Sequence, residues 1–173
     1  PFVHLPFRKI GDACEHARQW VADGHTVDVL TSVPNFPEGE VYEGYENELT
    51  EEERGGVRAT RVPMYVSPNE GVIRRVLSYL SFMLSACWYA GRLPTPDVLV
   101  ATSPQFFAAL AGAWVAWWKD VPFVVEIRDL WPESVVAVGA MDRNVVIRFF
   151  EWVERKLYET ADHIVVVTGT FQD

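Results

Sequence analysis

Apolar residues along this chain fall into two kinds of run. Short unbroken runs rich in β-branched residues read as strands covered on both faces, and runs with apolar positions three and four apart read as helices. Residues 10–23 open the helical kind: Ala13, Ala17, Trp20 and Val21 share a face, while Glu15, Arg18 and Gln19 lie elsewhere. Gly24 is a natural stop for that helix, and the strand-like run Thr26-Val27-Asp28-Val29-Leu30-Thr31 follows. Residues 57–63 alternate apolar and polar positions, which predicts a short strand near a sheet edge. Pro96-Asp97-Val98-Leu99-Val100-Ala101-Thr102 reads as a buried strand, with Ser103 placed to cap a helix and Pro104 at its first position. That helix, over 106–118, carries Ala108, Ala109, Ala111, Gly112 and Ala113, small residues that permit close packing on a sheet. A further strand starts at Pro122-Phe123-Val124-Val125. The helix over about 145–160 turns Val146, Phe149, Phe150, Val153 and Leu157 inward, and residues 162–168 close as another buried strand. Helix then buried strand, repeated, predicts an α/β fold: a Rossmann-like, doubly wound, mostly parallel sheet with helices on both faces. Residues 1–6, a short apolar run with two prolines, are compatible with the end of a first strand.

Three stretches depart from this rhythm. Ser32-Val33-Pro34-Asn35-Phe36-Pro37-Glu38-Gly39 is a loop fixed by two prolines at the end of a strand. Asn35 offers a donor and acceptors there, and Phe36 a stacking face; from local sequence alone a plain turn is the simpler reading of both. Residues 41–56 hold Glu43, Glu46, Glu48, Glu51, Glu52 and Glu53, and lack the alternating Asp/Asn ligands and central glycine of a calcium loop, so they read as a solvated excursion. Residues 71–93 predict a long helix with Arg74 and Arg75 at its start and Arg92 at its end. Its uncharged run of about fifteen residues is short of the ~20 needed to span a bilayer. Burial in the core is the simpler reading for most of that helix. The alternative is a helix lying in a membrane surface, its arginines near lipid phosphates and its aromatics dipping inward.

The chemistry concentrates after Val125. Glu126, Arg128, Asp129 and Glu133 follow a buried strand, with Trp131 and Pro132 among them. Ionisable groups at such a position are costly unless they pair or do chemistry, and the carboxyl end of strands is where open α/β sheets bind ligands. A structural pair of Arg128 with Asp129 or Glu133, pinning a loop, is the competing explanation. Thr102, Ser103 and Gln105 sit at a second strand end, where a helix N-terminus favours anions.

Composition narrows the field. The 173 residues suit one domain, with a hydrophobic fraction of 49% and a formal net charge of −9. That charge argues against a general nucleic-acid binder, because there is no global cationic surface to displace counterions. Cys14 and Cys87 make no zinc pattern, and a reducing, cytosolic setting is expected. The chain opens on Pro1, so a trimmed or partial chain is expected, with no signal peptide in view. No GxGxxG, Walker, GxSxG or HExxH motif occurs, so dinucleotide dehydrogenases, P-loop NTPases and α/β-hydrolases lack their usual mark.

Gly24-His25-Thr26-Val27-Asp28-Val29-Leu30-Thr31 resembles the GHEVTVLT segment of retaining glycosyltransferases of family 4. The 32–39 loop, the segment Leu99-Val100-Ala101-Thr102-Ser103-Pro104-Gln105-Phe106 and the segment from Glu126 to Ser134 resemble the WbuB-type sugar transferases of surface-polysaccharide synthesis. The strand at 161–168 fits as well, and these pieces in one order extend the resemblance from about residue 10 onward.

The resemblance implies a GT-B enzyme with two Rossmann-like domains and a cleft between them. Residues 1–173 would be the N-terminal, acceptor-binding domain, with the C-terminal donor-binding domain absent and no turnover from this piece alone. It implies catalytic roles for Asp129, Glu133 and Arg128, and an acceptor side lined by Asn35, Phe36, Thr102, Ser103, Gln105 and Trp131. Partners would be a sugar or lipid-linked acceptor, the missing donor domain and a membrane surface met through residues 71–93, with no nucleic acid. No metal or other cofactor is expected, the nucleotide-sugar being a substrate, and the setting would be cytoplasmic, at the inner face of the membrane. Residues 1–11 do not show the family's glycine-containing loop, and many relatives carry His where Arg128 stands, so no histidine role transfers to it. A nucleotide-sugar epimerase half on the same scaffold and a non-catalytic binding domain are the competing functions.

Overall fold

The computed structural model describes residues 12–35, 38–67, 71–103, 106–128 and 145–166. It divides into two compact units, Pro1–Pro96 and Asp97–Asp173. Both are layered α/β units of the Rossmann-like kind.

The first unit is built from α1 (Asp12–Ala22), β1 (Val27–Ser32), β2 (Thr50–Arg54), β3 (Val57–Val62) and α2 (Val72–Ala90). The α1 helix ends where the sequence places a stop. Gly24 takes a φ of 92°, the Gly24 N–H donates to the Val21 carbonyl and the His25 N–H to the Trp20 carbonyl, the paired bonds of a Schellman cap. β1 and β3 run parallel, from Val27 beside Val57 to Ser32 beside Val62. Ala17 of α1 packs on Val27, Val29, Val57 and Ala59, with Trp20 and Val21 at the margin.

The acidic excursion is a correction. Its second half is β2, paired antiparallel with β3 in the order β1-β3-β2, so β3 is the middle of the three strands and not an edge. Local sequence hides β2 because Thr50-Glu51-Glu52-Glu53-Arg54 has no buried face; its partner, not its pattern, makes it a strand. Gly55 and Gly56, with φ of 61° and 79°, form the tight connection to β3. A Cβ at Gly56 would meet Val21 Cγ1 at 2.7 Å.

The second unit is all parallel: β4 (Leu99–Thr102), α3 (Phe106–Lys119), β5 (Phe123–Ile127), α4 (Val145–Thr160) and β6 (His163–Val166), in the order β4-β5-β6. The small residues of α3 do what their size predicts. A Cβ on Gly112 would lie 2.6 Å from Ala101 Cβ, so helix and strand are in close contact there. α3 ends in the same capping pattern as α1, with Asp120 (φ 54°) in the glycine place and Val121 N–H donating to the Ala116 carbonyl. Edge-to-face contacts of Phe106 and Phe107 with Phe150 join α3 to α4.

Two burial expectations fail in this unit. Ile147 and Leu157 are the buried residues of α4, whereas Val146 and Phe149 face outward. β6 is largely exposed, because among the described residues it has a strand on one side only and no helix covering Ile164 or Val165. No helix among the described residues is long and apolar enough to cross a membrane.

Candidate functional site

The carboxyl edge of the second unit's sheet gathers four polar residues in sequence order. β4 and β5 pair in register, which sets Thr102 beside Glu126 at the last rung. One step on, the Ser103 N–H donates to the Glu126 carbonyl at 2.8 Å. Thr102, Ser103 and Glu126 are all buried, and Thr102 Oγ1 donates to the Ser103 carbonyl at 2.9 Å. Glu126 and Arg128 are two residues apart on an extended segment, so their side chains emerge on the same face. Arg128 Nη2 lies 2.9 Å from Glu126 Oε1, with the arginine side chain 20% exposed.

The result is a guanidinium oriented by a largely buried carboxylate at the end of a parallel sheet. Such a pair holds its geometry without help from solvent and suits hydroxyl or phosphate oxygens. Among the described residues Arg128 pairs with Glu126, and the pairing with Asp129 or Glu133 that sequence suggested falls on residues outside them. Glu126 was visible as a charged strand residue, but its place in the constellation follows only from the two-residue spacing on one strand face. Asp129, Trp131 and Glu133, together with Phe36 and Gln105, lie outside the described residues. So does Pro104, expected at the first position of α3.

Asn35 stands at the corresponding edge of the first unit, three residues beyond β1. It is half-buried, its carbonyl accepts the Gly39 N–H at 2.7 Å, and its amide nitrogen lies 4.0 Å from Met64 Sδ. The Asn35 backbone closes a turn, as the simpler reading expected. Nearby, the Asn47 side chain clasps the Met64 backbone in both directions, donating to its carbonyl at 2.7 Å and accepting from its N–H at 3.0 Å.

The first unit also has a cleft of about 380 Å³ bordered by Asp28, Glu51, Glu53, Arg58, Thr60 and Arg92. It opens at the starts of β1 and β3, the opposite end from the carboxyl edge. An Asp28–Arg58 ion pair of 2.8 Å, between register partners on β1 and β3, forms part of its lining. Among the described residues, no group of three or more His, Cys, Asp or Glu side chains is placed to hold a metal ion.

The family model for the glycosyl transferase 4-like domain matches residues 12–173. The chain belongs to that family. It is the N-terminal domain of a family 4 glycosyltransferase of the GT-B type, as the resemblance implied. It is also 28% identical over 124 residues to the protein described as "Putative colanic acid biosynthesis glycosyl transferase WcaI" of Escherichia coli (strain K12). That match covers 70% of this chain and 30% of the relative, so the chain spans about a third of the length of the curated relative it matches.

Proposed function

We propose that this glycosyl transferase 4-like domain is the acceptor-binding half of a retaining hexosyltransferase. It moves a sugar from a nucleotide-sugar to a surface-polysaccharide or lipid-linked acceptor, in the cytoplasm at the inner face of the membrane. By itself the domain is inactive, because donor binding belongs to a second domain. The observation that carries the reading is the Thr102–Ser103–Glu126–Arg128 constellation at a parallel sheet's carboxyl edge, in a chain of this family.

In this reading Glu126 fixes the Arg128 guanidinium, and Arg128 in turn holds Asp129 and Glu133 or a phosphate oxygen. Asp129 and Glu133 hydrogen-bond the acceptor hydroxyl. As the acceptor oxygen bonds to the anomeric carbon, the bond to the diphosphate breaks and the hydroxyl proton passes to one of these carboxylates. Charge growing on the diphosphate is met by helix N-termini and cationic side chains, so the reading calls for no metal. Asn35, Phe36, Thr102, Ser103, Gln105 and Trp131 line the acceptor side.

The test is product analysis with the full-length protein, a panel of nucleotide-sugars, and lipid-linked acceptor present or omitted. Acceptor-dependent sugar transfer with retained anomeric configuration is expected. Arg128→Ala should lower it by about a hundredfold or more, the scale of losing one electrostatic contact in a reaction site. Isomerised donor formed without acceptor would assign the scaffold to an epimerase instead. Donor left unchanged under all conditions would favour a binding domain.

A further inference from the structure

The cleft of the first unit lies on the face of the sheet away from α1, and strand alternation puts it there. Ala17 of α1 packs on Val27, Val29, Val57 and Ala59. Asp28, Arg58 and Thr60 therefore turn to the other face, and all three line the cleft. The α2 helix also packs against β1 and β3, burying Phe82, Ala86 and Ala90. Arg92, Leu93 and Pro94, just past its last turn, form one border of the cleft. β2 forms another: Glu51 stands in register beside Thr60, and Glu53 beside Arg58. Glu52, between them, pairs with Arg61 instead.

The polar groups of this lining are only half answered. Asp28 holds Arg58 at two points, Oδ1 on Nε and Oδ2 on Nη2, each at 2.8 Å, which leaves Glu53 without the guanidinium beside it. Neither Glu51 nor Glu53 pairs with a cation among the described residues. Arg92 has no carboxylate among them; its guanidinium reaches the Trp88 carbonyl at 3.4 Å and lies 5.6 Å and 4.9 Å from the ring centres of Trp88 and Tyr89. Exposed charges carry little weight alone, but Thr60 is 8% exposed, and among the described residues its hydroxyl has no hydrogen-bond partner. A polar group so deeply placed and unpaired calls for a partner from outside the fold. Thr60 and Glu51 are neighbours on one face, with Glu53 two residues along, so a hydroxyl and two carboxylates share one patch. A primary ammonium, with three donors and no acceptor, suits that trio. A metal ion is the poorer guest, since among the described residues no three His, Cys, Asp or Glu side chains gather to hold one. Arg92 calls for an anion, and its planar fork suits a carboxylate. A phosphate would add net negative charge where Glu51, Glu53 and Arg92 already sum to a negative one.

We propose that this cleft binds a small zwitterion, its primary ammonium on Thr60, Glu51 and Glu53 and its carboxylate on Arg92. The volume of about 380 Å³ is at the small end of ligand pockets and suits a molecule of amino-acid size. The site lies at the opposite end of the strands from Asn35, and it does not depend on the reaction assigned above.

The probe is γ-aminobutyrate, titrated into the purified full-length protein and followed by saturation-transfer NMR, with butylamine and butyrate as single-ended controls. Saturable binding is expected, at least about fivefold tighter than that of either control. Glu51→Gln and Glu53→Gln together should weaken it about tenfold or more, the scale of losing charged hydrogen bonds. Arg92→Gln should weaken γ-aminobutyrate about fivefold and leave butylamine no weaker, because it removes the partner of the carboxylate and a cation that repels the amine. Thr60→Val keeps the shape and drops the hydroxyl. It should weaken binding about fivefold with no fall in the thermal midpoint, since in the unliganded protein that hydroxyl has no bond to lose. No saturable binding of γ-aminobutyrate, butylamine bound as tightly, glutamate variants that bind like the unaltered protein, or a Thr60→Val protein that melts earlier would each overturn the proposal. Binding is read without sugar transfer, so this inference and the proposed reaction fail separately.

Discussion

Each unit carries an arginine at the carboxyl end of the middle strand of its described sheet, and the two are put to different ends. Arg61 sits near the end of β3 and is 2% exposed. It donates to Glu52 Oε1 at 2.5 Å and to the Ser32 carbonyl at 3.2 Å, and its guanidinium lies 5.1 Å from the Tyr45 ring centre. Arg128 follows β5 directly, pairs with Glu126 and is ten times more exposed. A strand-end arginine is therefore not by itself a mark of function. What separates the two is whether neighbouring elements close over the guanidinium. The acidic β2 strand and the Tyr45 loop close over Arg61, whereas part of Arg128 stays within reach of solvent.

That contrast can be broken in order of expected effect. Transfer by the full-length enzyme should fall about a hundredfold or more in Arg128→Ala, while Arg61→Ala should leave turnover per folded molecule nearly unchanged. Equal loss of turnover in both would erase the distinction. In urea titrations the ranking should invert: Arg61→Ala is expected to cost about 3 kcal/mol, because it strips a buried cation and its packed stem from Glu52, Ser32 and Tyr45. Arg128→Ala should cost about 1 kcal/mol, since water can reach the Glu126 carboxylate it leaves behind.

The helix–sheet contacts differ in the same spirit. Gly112→Ala should destabilise by about 1–3 kcal/mol through overpacking against Ala101, Leu99 and Phe123, seen as a lower thermal midpoint. The smallest effects belong to the two helix ends that share one capping geometry. Gly24→Ala should lose about 1 kcal/mol, and Asp120→Gly should gain no more than about 1 kcal/mol, because only the second relieves a side chain from a left-handed backbone. A stabilising Gly24→Ala would show that the cap is not held as described.

The parts legible from sequence are those whose cause is local. Val27 to Leu30, Leu99 to Thr102 and Phe123 to Ile127 announce themselves as unbroken apolar runs, and Gly24 as a helix stop. The position of Thr102, Ser103 and Arg128 follows from those strands, because a strand's end fixes what comes next. The hidden parts have non-local causes. β2 is a strand because β3 lies beside it, and β6 is exposed because of what does not cover it among the described residues. Composition announced an apolar α2 but could not say that β1, β3 and the segment after β3 would claim only one side of it. Glu126 was seen as a charge and not as the partner of Arg128, since pairing across two residues depends on the strand staying extended to Ile127. Asp129, Trp131 and Glu133, which carry most of the proposed chemistry, lie outside the described residues.

Gly112 has one more consequence. Where a helix rides so near a strand that a methyl group has no room, the strand cannot rise or tilt to suit a new guest. Thr102, next along β4 from Ala101, takes its height from that contact on the far face of the sheet. A change of ligand on this scaffold would therefore fall to the loops beyond the strands, with the floor left where it is.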